Sequence, residues 1–189
     1  MIVQGTTPGS KDMQKLVAAN LSFIVVALAA FLVFVNAAAA EEKVSLPDGS
    51  SFDSKINCPV CNMPPGSNPQ GAAAVVFKDG KVVGLDGTRH MFIYLRSPEK
   101  YGIKPEEVRE VFVPEWGSKK FLSAKSAFFM LGGDVKGNMG WEAIAFSKKE
   151  DAEKFKVDHV GIKVATFDEV RLSDVQAKKR LKMEGGHGH

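Results

Sequence analysis

The apolar residues of this chain are unevenly placed, and one run of them decides which part can fold as a globular unit. Residues 16–35 contain only Asn20 and Ser22 as clearly polar side chains. At 1.5 Å rise per residue, about 20 such residues span a bilayer core as a helix. Lys11 and Lys15 precede the run, four alanines at 37–40 follow it, and Glu41 and Glu42 come next. Positive charge, an apolar stretch and small residues at A-x-A spacing make a secretory signal pattern, with cleavage predicted after Ala40. The competing reading is a retained anchor. Both place residues 41–189 outside the cytoplasm, in the periplasm or on the outer face of the membrane. Membrane contact is then confined to residues 16–35, and only if they are not removed. No second run of that length exists, which excludes a polytopic membrane protein. No cysteine stands at the predicted cut to carry a lipid.

The remaining 150 or so residues are enough to bury a core. A hydrophobic fraction of 44% excludes wholesale disorder. The net charge of +3 is too small for the dense basic patch of a nucleic-acid binder, so no nucleic-acid partner is expected. The two cysteines, Cys58 and Cys61, exclude a disulfide-dense scaffold.

Residues 41–57, with Pro47-Asp48-Gly49, read as a linker. Residues 71–77 and 81–85 flank Asp79-Gly80 and predict a β-hairpin. Thr88 can cap a helix over 88–96, which Ser97-Pro98 ends. Strands are predicted over 108–113, 121–122, 126–131, 141–146 and 162–165. Ser147-x-x-Glu150 and Thr166-x-x-Glu169 have the form of capping boxes, each opening a helix, the second running to about residue 181. Asn62-Met63 and Asn138-Met139 each precede a strand, a turn and a helix. That faint repeat would put Met63 and Met139 in related positions of two similar halves.

Cys58-x-x-Cys61 carries the chemistry. A c-type haem site needs His after the second cysteine, and position 62 is Asn. A zinc site lacks a second cysteine pair, although His90 and His159 could contribute. A thioredoxin-like dithiol would start a helix after a strand, whereas this pair lies in a proline-rich loop, and a periplasmic thiol–disulfide oxidoreductase using Cys58 and Cys61 stands as the alternative function. A plain disulfide would close too short a loop to stabilise much. Thiolate and thioether donors select Cu(I), and Cys61 and Met63 are near enough to turn both sulfurs toward one ion. Met139, also in a glycine-rich loop, is a candidate third sulfur, while Met91 and Met130 read as core filler. His90 is either an ordinary helix histidine or a ligand. His187 and His189, with Met183, either hold copper loosely or form an inert tail over 176–189. No hydrolase or phosphate-loop motif is present.

Cys58-Pro59-Val60-Cys61-Asn62-Met63 resembles the NosL family, whose pattern has Cys-x-x-Cys-Gly-Met near the mature start. Asp86-Gly87 before the predicted helix and Met139-Gly140 before 141–146 fit the same order, and 116–128 fits loosely. The resemblance covers roughly residues 56–170. It implies an α+β fold of two similar small halves, about 56–105 and 106–175, each a hairpin or small antiparallel sheet with one helix. It implies a non-enzymatic Cu(I)-binding metallochaperone with Cys61, Met63 and Met139 as ligands and Cys58 as a further one. The implied partners are a copper-receiving client enzyme, such as nitrous oxide reductase, and other assembly factors. Asn62 replaces the family glycine, His90 stands where a cysteine is often found, and the histidine tail is extra.

Overall fold

The computed structural model describes residues 43–65, 71–137 and 140–176. The run 16–35 and the tail beyond 176 lie outside the described residues. Among the described residues no helix is long and apolar enough to cross a membrane.

Ala73, Ala74, Val75, Val76 and Phe77 form β3 (Ala73–Phe77), which is buried on both faces, so its sequence is an unbroken apolar run rather than an alternation. It pairs antiparallel with β4 (Val82–Leu85) across the Asp79-Gly80 turn, and on its other side with β5 (Val108–Pro114). β6 (Phe121–Ser123) completes a sheet of order β4-β3-β5-β6. On one face Ala73, Val75 and Phe77 meet the main core beneath α1 (Thr88–Leu95), which contributes Met91 and Phe92. On the other face Ala74, Val76 and Phe112 meet Leu46 and Phe52.

That second contact corrects the linker expected over 41–57. Its few apolar residues cover the outer face of β3, and the segment folds as a hairpin of β1 (Lys43–Ser45) and β2 (Ser51–Asp53). The packing is close enough to require glycine at 84, where a Cβ would fall 2.4 Å from the Phe52 ring.

A one-turn helix, α2 (Pro98–Tyr101), and a 3-10 turn at Pro105–Glu107 lead into β5. The predicted break between halves at 105/106 therefore lies between β3 and β5, which are neighbours in one sheet. A second, three-stranded sheet has order β10-β7-β11, formed by β7 (Phe128–Leu131), β10 (Ile144–Phe146) and β11 (Lys163–Thr166). Alternation along β7 sends Phe129 and Leu131 to the main core and Met130 to a smaller cluster with Ile144, Phe146 and Ala152 of α3 (Lys149–Asp158). β8 (Lys136–Gly137) and β9 (Gly140–Trp141) form a small hairpin before β10. The architecture is a mixed α/β fold of small antiparallel sheets with few helices.

The expected caps are corrected at every helix. Thr88 is the first residue of α1, whose N-cap is Gly87 with no side-chain cap bond. The N-cap of α3 is Lys148, and Ser147 makes no cap bond. Thr166 does bond Glu169, its N–H and hydroxyl donating to Oε2 at 2.8 and 2.9 Å, but the last described helix, α4 (Leu172–Gln176), starts later. The carbonyls of Phe167 and Val170 accept instead from Arg96 at 2.6 and 2.9 Å, and both side chains are buried. A helix through 167–170 would have to give up those contacts.

Candidate metal centre

Two short segments meet at one end of the β4-β3-β5-β6 sheet. The first is the cysteine loop. Cys58 N–H donates to the carbonyl of Met63 at 2.9 Å, and Asn62 N–H donates to the carbonyl of Cys58 at 2.8 Å. Closing this turn puts Asn62 at φ +59°, the left-handed region that asparagine tolerates better than other residues with a side chain. Asparagine thus meets the backbone need that a family glycine would meet. The turn sets both sulfurs on its inner side, with Cys58 fully buried and Cys61 half-buried; both are free thiols.

The second segment runs from the end of β4 through Asp86-Gly87 into α1. His90 lies in the first turn of α1 and is 5% exposed, which makes it a buried residue rather than an ordinary surface histidine. Cys58 Sγ is 3.8 Å from His90 Nδ1, and the Cys61 thiol donates to Asp86 Oδ2 at 3.7 Å. One ligand atom each from Cys58, Cys61 and His90 all lie within 4.8 Å of one another. An ion held between them would meet two sulfurs and one imidazole, a donor set suited to soft and borderline metals.

Burial, the largest influence, together with the neighbouring Cys58, pushes the Cys61 thiol up to about 11. At neutral pH it is therefore a protonated thiol until something displaces the proton. Burial, reinforced by the charge of Arg89, lowers the His90 pKa, so its ring is neutral at pH 7 and has a lone pair to give.

Cys58, Cys61 and His90 are thus brought together. Met63 follows them at the outer edge of the loop, 47% exposed. Met139, His187 and His189 lie outside the described residues. His159, weighed as a zinc ligand, instead pairs with Asp134 at 3.0 Å and stacks on Phe155. Met91 and Met130 are core residues, as their apolar settings predict.

Two acidic residues at the site were not legible as such. Asp86 is 2% exposed and stands between Cys61 and a cavity of about 230 Å³ lined by Thr88, Trp116, Lys136 and Glu142 among others. Glu142 reaches the start of α1 and accepts from Arg89 N–H. Asp86 was marked only by its place in the family order before the helix and nothing local marked Glu142, because their partners are 25 and 53 positions away.

The NosL family profile matches residues 50–175. The chain belongs to the NosL family. Its fold resembles the crystal structure of the copper chaperone NosL from Shewanella denitrificans, with 28% sequence identity and a TM-score of 0.54, over 64% of this chain and 93% of that one. The solution structure of the apo-NosL protein from Achromobacter cycloclastes matches at 22% identity and a TM-score of 0.42, over 61% of this chain and 94% of that one. A search of curated protein sequences found no significant match. The NosL profile begins inside the β1–β2 hairpin and takes in the cysteine loop, α1 and the β10-β7-β11 sheet.

Proposed function

We propose that this NosL-family chain is an exported metallochaperone that binds Cu(I) and passes it to a cuproenzyme such as nitrous oxide reductase. The observation that carries the reading is the buried cluster of Cys58, Cys61 and His90, with its ligand atoms within 4.8 Å. The description of the Shewanella denitrificans relative as a copper chaperone supports it.

Cu(I) is the cargo, and three residues of this chain would hold it. Loading displaces the Cys61 proton, since only the thiolate is a strong ligand. His90 gives no proton, because its ring is already neutral. The thioethers of Met63 and Met139 are further soft donors, and His187 and His189 are candidates for a looser site in the tail. Cys58 and His90 are buried while Cys61 is half-buried, so an incoming ligand from an acceptor reaches the ion from the Cys61 side. Transfer is then stepwise ligand exchange beginning at Cys61, whose thiolate takes back a proton from solvent as the ion leaves.

The alternative is a thiol–disulfide oxidoreductase using the same pair. Such enzymes start a helix with the pair, so that the helix end favours the thiolate, whereas Cys58 and Cys61 here lie in a turn outside any helix. That favours the metal site over the redox enzyme.

Titrating the reduced full chain with Cu(I) against a strong Cu(I) chelator tests the reading. X-ray absorption of the complex should give two Cu–S contacts and one Cu–N contact. Failure to compete with the chelator would reject the chaperone.

A further inference from the structure

α1 starts without the usual help. Its N-cap is Gly87, no side chain within the segment caps it, and its first turn carries no acidic residue. The first four N–H groups of a helix have no partner inside it. Here the acceptor comes from elsewhere in the chain. Glu142, just after β9, directs Oε1 to the N–H of Arg89, and the same oxygen accepts from Ala143 N–H at 2.9 Å.

The carboxylate sits in a slot of bare backbone. A Cβ on Gly87 would come within 2.3 Å of Glu142 Oε2, and a Cβ on Gly137 within 2.7 Å. Gly87 is also held at φ +126°, which side-chain-bearing residues avoid. The Arg89 side chain ties the same turn down a second time. Its Nε donates to the carbonyl of Val175 at 2.7 Å, and its guanidinium lies 4.9 Å from the Trp141 ring centroid. The turn so fixed is the one between Asp86, which meets Cys61, and His90, which meets Cys58. Burial opposes a charge at Glu142 and pushes its carboxyl up to about 7, so the chain keeps a carboxylate where desolvation works against it.

We infer that Glu142 is a positioning residue of the metal centre: by holding the Gly87–Arg89 turn through Oε1, it sets His90 against Cys58 and Asp86 against Cys61. This rests on the Cu(I) reading above for its functional meaning, but the geometric part stands on the apo protein. A helix cap with no role at the site would change stability alone, because caps act on the helix as a whole. A positioning residue must also change what the ligands present to the ion.

The test uses the reduced full-length protein and three variants: Glu142→Ala, Glu142→Gln and Gly137→Ala. Glu142→Gln keeps an oxygen at the Oε1 position. Gly137→Ala keeps the carboxylate but pushes on Oε2, from a surface hairpin whose backbone accepts alanine. The readouts are Cu(I) affinity by chelator competition, the Cu–N contribution in X-ray absorption, and the ring 15N shifts of His90 in the apo protein.

Glu142→Ala should weaken Cu(I) binding about tenfold, the range seen when a partner orienting a metal ligand is removed. It should also diminish the Cu–N contribution and move the His90 shifts, and Glu142→Gln should restore all three. A folded Glu142→Ala protein with unchanged affinity and shifts overturns the inference. Glu142→Gln as defective as Glu142→Ala also overturns it, since the acceptor is then irrelevant. Should Glu142→Ala not fold, Gly137→Ala decides: altered His90 shifts and weaker binding support the inference, and unchanged values overturn it. If the wild type itself fails to bind Cu(I), the chaperone reading falls, and the apo His90 shifts alone still decide whether Glu142 orients that ring.

Discussion

His90 and His159 are both associated with helices and both have polar neighbours, yet they sit in regions built for different ends. His159 caps the C-terminal end of α3, pairs with Asp134 and stacks on Phe155, which also contacts Trp116 and Phe146. Its surroundings are a carboxylate and aromatic rings, so it helps pack α3 onto the sheet. His90 starts α1, is buried, and faces two free thiols with no local cap on its helix. A histidine's role is thus set by what the fold brings to its ring nitrogens rather than by its place on a helix. The larger apolar core lies beneath α1 and a smaller cluster lies under α3. On the α1 side, polar groups are buried at a cost and held by partners distant in sequence.

The sharpest way to break this comparison is to exchange the effects of substitutions across it. Cys61→Ser should lower Cu(I) affinity by a thousandfold or more, on the order of 4 kcal/mol, by replacing a thiolate with a hydroxyl. His159→Ala should leave affinity within about twofold of the wild type, where such a factor is below 0.5 kcal/mol. Chelator competition on the two variants measures both, and a large loss in His159→Ala would place the metal at the wrong histidine.

The reverse exchange comes next. Phe155→Ala removes a ring from the cluster of Trp116, Phe146 and His159 and should cost about 2 kcal/mol of stability, since the ring is only partly buried. Denaturant unfolding reads that loss. Cu(I) affinity should not change, and a loss of affinity equal to that of Cys61→Ser would show that the two regions are not separable.

A pH dependence gives a third contrast. The Glu142 carboxyl titrates at about 7 in the folded protein against 4.5 normally. Between those values the folded state holds a proton that the unfolded state has lost, so stability from this group is full below pH 4.5 and is lost as pH rises through 7. Thermal unfolding of the apo protein at pH 5 and pH 8 should show this decline in the wild type and a flatter profile in Glu142→Gln. An identical decline in both would assign it to another group.

Much of the fold was legible because its signals are local. The apolar run of β3, the Asp79-Gly80 turn, the apolar face of α1 and the Cys58/Cys61 pair all lie within short windows. The hairpin of β1 and β2 was hidden because Val44, Leu46 and Phe52 are sparse among polar residues and make sense only against the far face of β3. The capping boxes misled because a favourable local bond yields when the core needs the segment elsewhere. At Thr166 the bond forms, but Arg96 and the burial of Phe167 and Val170 keep the backbone out of a helix.

By itself the sequence determined the loop's chemistry: two thiols in one turn and an asparagine able to take the left-handed conformation that closes it. It also determined which strands are buried, since apolar runs have few other places to go. Only the tertiary structure decided that His90 rather than His159 joins the cysteines, that Asp86 lies against Cys61, and that α1 takes its cap from Glu142. The physical reason is range. Hydrogen bonds and metal ligands act over a few ångströms in space, and residues 53 positions apart meet only after the sheets and helices between them have packed.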